Sequence, residues 1–299
     1  MVERHTSFFL RCATAAAALF LTPWPESRAQ MTVYYGGEIV YQQSIGTPDS
    51  ATFTYVAPDD YKPSQAYDPT TVGGAIADES EAVDLGLSVK WAPWNVGATS
   101  ASESGTYFAW GEVQGKAKYD WSTYWWMRDG KSRLEYIIKY QMEDDINRYE
   151  VDALWFDATG EFLGDGDSKL SKEDDAASVN WGGKWRMPTA DEVDELGRQC
   201  EWTWKMTGEY AAGAPAGFVV TGPSGNSIFL PAVGFMDGEE VSLSVQYGYY
   251  WTSDLWPGDC SRGYDFYIFV NETHSKFNVS CSRERYAGMM VRAVLPATE

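Results

Sequence analysis

The sequence predicts an α+β fold of short antiparallel sheets with one or two helices, and three observations carry that expectation. Thr189 followed three residues later by Glu192 reads as a capping box that opens a helix near Ala190. Residues 218–221 and 227–230 flank Gly222-Pro223-Ser224-Gly225-Asn226, a hairpin signal. The stretches 249–253, 264–270, 277–281 and 289–295 are rich in aromatic and β-branched side chains, which suits strands of an antiparallel set.

The elements follow in order along the chain. Residues 1–29 read as a cleaved signal peptide: Arg4 and Arg11 precede an apolar run over 12–21, and Ser27-Arg28-Ala29 offers small residues at the cleavage-determining positions, which places the cut before Gln30. That run is too short to span a bilayer, where about 20 residues are needed. Residues 30–56 alternate around turn signals and form a small β-hairpin module with Gly36-Gly37 as a two-residue loop. Residues 57–81 are poor in apolar side chains and rich in Pro, Asp, Gly and Thr, the composition of a linker. The main domain then runs over 82–296. Leu85, Leu87, Val89 and Trp91 alternate as a half-buried strand, and Pro93 limits it. Residues 113–170 hold Trp121, Trp125, Trp126 and Trp155 among charges, which predicts long loops with short helices. In the capped helix Val193, Leu196 and Cys200 recur at spacings of three and four and share an apolar face.

Several stretches of this domain resemble the "Fibrobacter succinogenes major paralogous" domain of secreted gut-bacterial proteins. They are Val83-Asp84-Leu85-Gly86-Leu87 through Trp91-Ala92, Asn95-Val96-Gly97-Ala98 through Phe108-Ala109-Trp110-Gly111-Glu112, Val179-Asn180-Trp181-Gly182-Gly183-Lys184-Trp185-Arg186-Met187-Pro188-Thr189, Val220 through Pro231, and Gly248-Tyr249-Tyr250-Trp251-Thr252-Ser253. The resemblance implies a C-type-lectin-like fold, shared with formylglycine-generating enzymes and with the variable proteins of diversity-generating retroelements. It also implies that Trp181, Trp185 and Trp251 fill the core.

Charge narrows the function classes. The chain carries 23 Lys and Arg against 43 Asp and Glu, a net charge of −20. Removing residues 1–29 leaves 20 against 41. Such acidity excludes nucleic acid and anionic membrane surfaces as partners, because both demand a positive footprint. The export signal places the protein outside the cell or on its surface, with no membrane insertion.

Catalytic chemistry finds little support. His274 is the one histidine left after export, and no nucleophile elbow accompanies it, so a Ser-His-Asp reading lacks two of its three parts. Formylglycine-generating enzymes use a cysteine pair, yet the surroundings of Cys260 and Cys281 do not reproduce that motif. The chain is therefore read as a non-enzyme. Cys260 and Cys281 either bridge in the oxidising compartment or stay free; sequence leaves both open. Cys200 is expected to be a buried free thiol. Asp165-Gly166-Asp167 begins like a calcium loop, but Lys169, Leu170 and Ala176 stand where an EF-hand needs a ligand, a glycine and a bidentate glutamate. No cofactor is expected, with structural Ca²⁺ a minor option carried by lectin-like loops.

Over residues 254–286 the family pattern dissolves between recognisable framework stretches. In retroelement-diversified relatives this is the segment rewritten by adenine-directed mutagenesis, which rarely yields Trp, Glu, Lys, Gln or Met. Here only Trp256, Glu272, Lys276 and Glu284 belong to that set. The expected function is therefore recognition or adhesion, with an extracellular protein or glycan held by Trp256, Asp259, Arg262, Tyr264, Asn271, Glu272, His274, Lys276, Asn278, Arg283 and Glu284. Aromatic rings there supply contact area and charges supply orientation. The rival class is an assembly subunit of a surface fibre or matrix, whose contacts would come from the N-terminal strands.

Overall fold

The computed structural model describes residues 29–35, 38–45, 68–127, 134–146, 155–156, 159–242, 246–270 and 275–297, with the backbone alone for 29–35, 38–45, 69, 135, 270 and 275–280. The signal segment 1–28, the expected strand at 51–56 and the loop 271–274 lie outside the described residues. The chain divides into two compact units, Met1–Tyr61 and Lys62–Glu299.

In the first unit β1 (Ala29–Tyr35) pairs antiparallel with β2 (Glu38–Ile45), and Tyr35 opposite Glu38 leaves two residues between the strands. That is the expected hairpin. Among its described residues the second unit mixes two α-helices with short antiparallel sheets, as the α+β expectation requires. Among the described residues no helix is long and apolar enough to cross a membrane.

Each element of the second unit has a local cause. Strand β3 (Val89–Trp91) stops two residues before Pro93 and pairs with β12 (Val294–Pro296). Leu85, Leu87, Val89 and Trp91 are all buried, so the alternation holds although the regular strand is short. Helix α1 (Ala176–Trp181) starts where the Asp175 carboxylate accepts from the Ser178 amide, and ends at Gly182, whose φ of 69° only glycine adopts readily. Helix α2 (Ala190–Gln199) opens on the Thr189–Glu192 capping box and buries Val193 and Leu196. Cys200 is its half-buried C-cap, not a buried face residue, because the helix ends one residue earlier. The Thr189→Ala variant is expected to lose about 1 kcal/mol, read as a lower denaturation midpoint.

The hairpin β5 (Gly217–Thr221) and β6 (Ser227–Pro231) forms as expected and is joined by β4 (Glu201–Lys205). A short pair, β7 (Phe235–Asp237) and β8 (Glu240–Ser242), precedes the largest sheet. That sheet runs in the order β11–β10–β9, with β9 Tyr247–Leu255, β10 Arg262–Val270 and β11 Ser275–Glu284. It separates two cores. Tyr250, Phe266 and Ile268 face Val193, Leu196, Phe218 and Leu230, while Tyr249 and Trp251 face Trp110, Trp185 and Met289.

Two expectations change. Trp125, Trp126 and Trp155 are buried, so the region 113–170 supplies much of the core in spite of its irregular backbone. Residues 68–81, assigned to the linker, are built into the domain. Ala77 is a core residue whose carbonyl accepts from the Trp185 indole (2.9 Å), and the Ala75 carbonyl accepts from the Trp94 indole (3.0 Å). Linker composition misleads here because backbone carbonyls, which composition does not report, make the contacts. A truncation starting at Lys62 should unfold cooperatively, and one starting at Ser80 should be about 2–5 kcal/mol less stable, since two indole N–H groups lose their acceptors. Paired denaturant titrations measure the difference.

Candidate functional site

The chain segment expected to display ligand contacts is partly scaffold. Leu255, Cys260, Phe266, Ile268 and Arg285 are buried within it. The remaining side chains divide between the two faces of the β9–β10–β11 sheet, because residues two apart on a strand share a face.

The first group gathers where the 256–261 loop enters β10. The Trp256 amide donates to the Arg262 carbonyl (3.0 Å), and Asp259 Oδ1 accepts from the Ser261 amide and hydroxyl (3.1 and 2.5 Å), which closes the turn. Trp256 packs on Tyr264 with ring centroids 4.6 Å apart. Arg262 lies opposite Glu284 in the ladder; its guanidinium meets Glu284 Oε1 (2.8 Å), the Ser282 hydroxyl (2.9 Å) and the Ser282 carbonyl (2.6 Å). Trp256, Asp259, Arg262, Tyr264 and Glu284 thus form one half-buried cluster whose polar groups largely satisfy each other.

The second group lies on the opposite face. Arg283 is placed opposite Gly263, two residues from Cys281, which is opposite Asp265. Its guanidinium carbon sits 4.3 Å from the Phe235 ring centroid and 4.7 Å from that of Tyr249. Beyond them the sheet carries a row of rings. Tyr247 is 6.1 Å from Tyr249 and 5.6 Å from Phe269, and Tyr267 is 5.5 Å from both Tyr249 and Phe269. Tyr247, Tyr267 and Phe269 are half-buried, so their other halves face solvent. The backbone register sets Lys276 opposite Phe269 and Asn278 opposite Tyr267.

Beneath Arg283 lies Asp265, 1 % exposed, and neither carboxylate oxygen has a hydrogen-bond partner. Burial pushes its pKa up to about 7, against the pull of Arg283 and Arg262. Burial also raises the neighbouring Cys281 thiol to about 11 and the Tyr249 phenol to about 12.

The structure thus brings five of the eleven expected residues together, puts Arg283 on the other face, and gives Lys276 and Asn278 register positions only. Asn271, Glu272 and His274 lie outside the described residues. Cys260 and Cys281 are free thiols, so the bridge left open by the sequence is not formed. The ladder explains this: Ser261 bonds to Arg285 while Cys281 faces Asp265, four residue levels and roughly 13 Å along the strands, and Cys260 lies one residue beyond Ser261, so the two cysteines are outside the roughly 7 Å that a disulfide allows. Sequence reading missed Tyr247, Asp265, Tyr267 and Phe269. The signal was present in the odd-numbered positions of two adjacent strands, Tyr247-Tyr249-Trp251 and Asp265-Tyr267-Phe269.

What this arrangement offers chemically is stacking area with one cation and one unpaired acid. Among the described residues no three His, Cys, Asp or Glu side chains converge as a metal site. Compared with protein-family models, with curated proteins and with solved structures, the chain matches none.

Proposed function

We propose that this is an exported recognition protein with a C-type-lectin-like domain of the Fibrobacter succinogenes major paralogous type, which binds an extracellular protein through the aromatic face of the β9–β10–β11 sheet. The observation that carries this reading is the row of half-exposed rings Tyr247, Tyr267 and Phe269 beside Arg283. Tyrosine and arginine over a rigid sheet are the side chains that contribute most binding free energy per contact at protein interfaces, because they bring large area at small entropic cost. The C-terminal segment would be the part that varies among relatives, as in retroelement-diversified proteins. A non-enzymatic role accords with the cysteines: burial raises all three thiols, whereas a nucleophilic cysteine needs a lowered pKa.

Protein and glycan arrays probed with the wild type, with Tyr247→Ala/Tyr267→Ala/Phe269→Ala and with Trp256→Ala/Arg262→Ala/Tyr264→Ala test the proposal. The first triple variant should lose at least about 100-fold in affinity for a captured protein, since hot-spot rings are each worth about 2 kcal/mol or more. If only the second variant loses binding, the site belongs to the opposite face; capture of glycans alone replaces the protein partner.

An assembly role draws on a separate observation. Strands β1 and β2 pair only with each other among the described residues, and a two-stranded sheet has two edges that can accept further strands. If the role is assembly, deleting residues 30–61 converts an oligomer to a monomer in sedimentation.

A further inference from the structure

The face that carries the rings also holds an ion pair that is present in its parts but not made. Arg283 leaves β11 opposite Gly263, and its guanidinium reaches Tyr249, which lies opposite Tyr267. Asp265 stands between those two levels on the same face, close enough for the arginine charge to act on its carboxyl. Residues diagonal to each other across an antiparallel pair are about 7–8 Å apart at Cα, within reach of an arginine. Yet both oxygens of Asp265 and the Nε of Arg283 are buried without a hydrogen-bond partner. A buried donor or acceptor left unpaired is destabilising, more so when charged. Three such atoms sit here within reach of one another.

Two seats for one guanidinium resolve this. We propose that Arg283 is a movable cover on the aromatic face, exchanging its place over Phe235 and Tyr249 for a salt bridge to Asp265 and so uncovering those two rings for the ligand. With Asp265 protonated, the ring seat wins, since a cation is attracted to two aromatic faces most strongly in a desolvated site and a neutral carboxyl offers little in return. With Asp265 ionised, the guanidinium meets a full charge in a dry site and closes on it. The other groups facing Asp265 set where the exchange falls. On its own face they are Cys281 from β11, Tyr267 from β10 and Tyr249 from β9, while Arg262 and Glu284 act on its charge from the opposite face of the sheet. Burial holds the Asp265 pKa near 7, while Cys281 and Tyr249 titrate far above. Of Asp265, Cys281 and Tyr249, the carboxyl alone changes charge near neutral pH. The cover is thus a pH-dependent gate, open on the alkaline side.

The opening of the face to a ligand rests on the function proposed above, but the exchange itself is a property of the chain alone and is measured without a ligand. In the full exported chain, the nuclear Overhauser contact between Arg283 and the Tyr249 ring is followed from pH 5 to 9 together with the Asp265 carboxyl carbon. His274→Gln serves as background, because that histidine would titrate in the same range. The contact should fall at least twofold with the midpoint of the Asp265 titration, and in Asp265→Asn it should persist at every pH. A contact that stays constant in the wild type while Asp265 titrates overturns the exchange, and so does an Asp265 carboxyl that is ionised throughout. The wild-type measurement decides alone if the variant does not fold. A contact that changes as expected while no ligand is captured at pH 5 or 9 sinks the proposed function and leaves the exchange standing.

Discussion

Replacing Arg285 by alanine should cost more than about 4 kcal/mol, the largest effect of any single substitution expected in this domain. Arg285 is fully buried although it follows directly on β11, an edge strand of the sheet. Its Nε donates to the Tyr124 hydroxyl (2.7 Å), Nη1 to the carbonyls of Cys260 (2.9 Å) and Tyr140 (3.3 Å), and Nη2 to the Lys139 carbonyl (3.0 Å). Trp110, Tyr124 and Tyr140 surround the guanidinium with ring centroids 4.9 to 5.6 Å away. Alanine would leave a void, orphan the carbonyls of Lys139, Tyr140 and Cys260, and remove the donor to the Tyr124 hydroxyl. Methionine restores volume without donors and should fall between the two. Denaturant midpoints in the order arginine, methionine, alanine are the expected result. Arg262→Ala, on the solvent side of the same sheet, should cost only about 1 kcal/mol or less, because its ion pair with Glu284 is partly exposed. An Arg285→Ala variant as stable as Arg262→Ala would remove this side chain from the scaffold.

The second large effect is a fall in stability with rising pH caused by Asp265. Its folded pKa of about 7 lies above the ordinary aspartate value of 3.8, chiefly because the carboxyl is buried. Between those two values the folded chain holds a proton that the unfolded chain has released. The contribution is therefore fully present below about pH 4 and is lost as pH rises through 7. The difference in pKa corresponds to about 4 kcal/mol at 1.36 kcal/mol per pH unit, an upper bound because Arg283 can close on the ionised carboxylate. Asp265→Asn carries no such dependence, so its stability relative to the wild type should climb by up to that amount from pH 4 to pH 8. Melting temperatures of the two proteins across this range give the comparison directly. Parallel curves would show that Asp265 reaches solvent or a partner and that its burial does not govern its ionisation.

The helix, the hairpin and most strands of the large sheet were legible because each depends on contacts a few residues apart. Thr189 and Glu192 are three residues from each other, and the β5–β6 turn is closed by Gly225 and its neighbours. The candidate site was legible only in part. Trp256, Arg262 and Tyr264 stand out as aromatic or charged residues in a segment without framework pattern, and they do cluster. What they contact could not be read, because Arg262 is held by Ser282 and Glu284 some twenty residues away. Asp265 gave no sign of being unusual. An aspartate between Tyr264 and Phe266 is ordinary in sequence, and only burial in the fold makes its carboxyl hard to ionise.

By itself the sequence determined the α+β class, the start of α2 at its capping box, the alternating burial of Leu85 to Trp91 and the acidic character of the chain. Each of these follows from local hydrogen bonding, strand periodicity or the sum of charges, none of which needs a tertiary fold. The tertiary structure alone decided that residues 68–81 belong to the domain, that Cys260 and Cys281 stay apart, that Arg285 is core, and that Arg262 and Arg283 serve opposite faces. Those outcomes depend on register. A one-residue change in strand pairing sends every side chain to the other face, and register is set by the packing of both cores together with the bulges of β10, a global balance that no short stretch of this chain records.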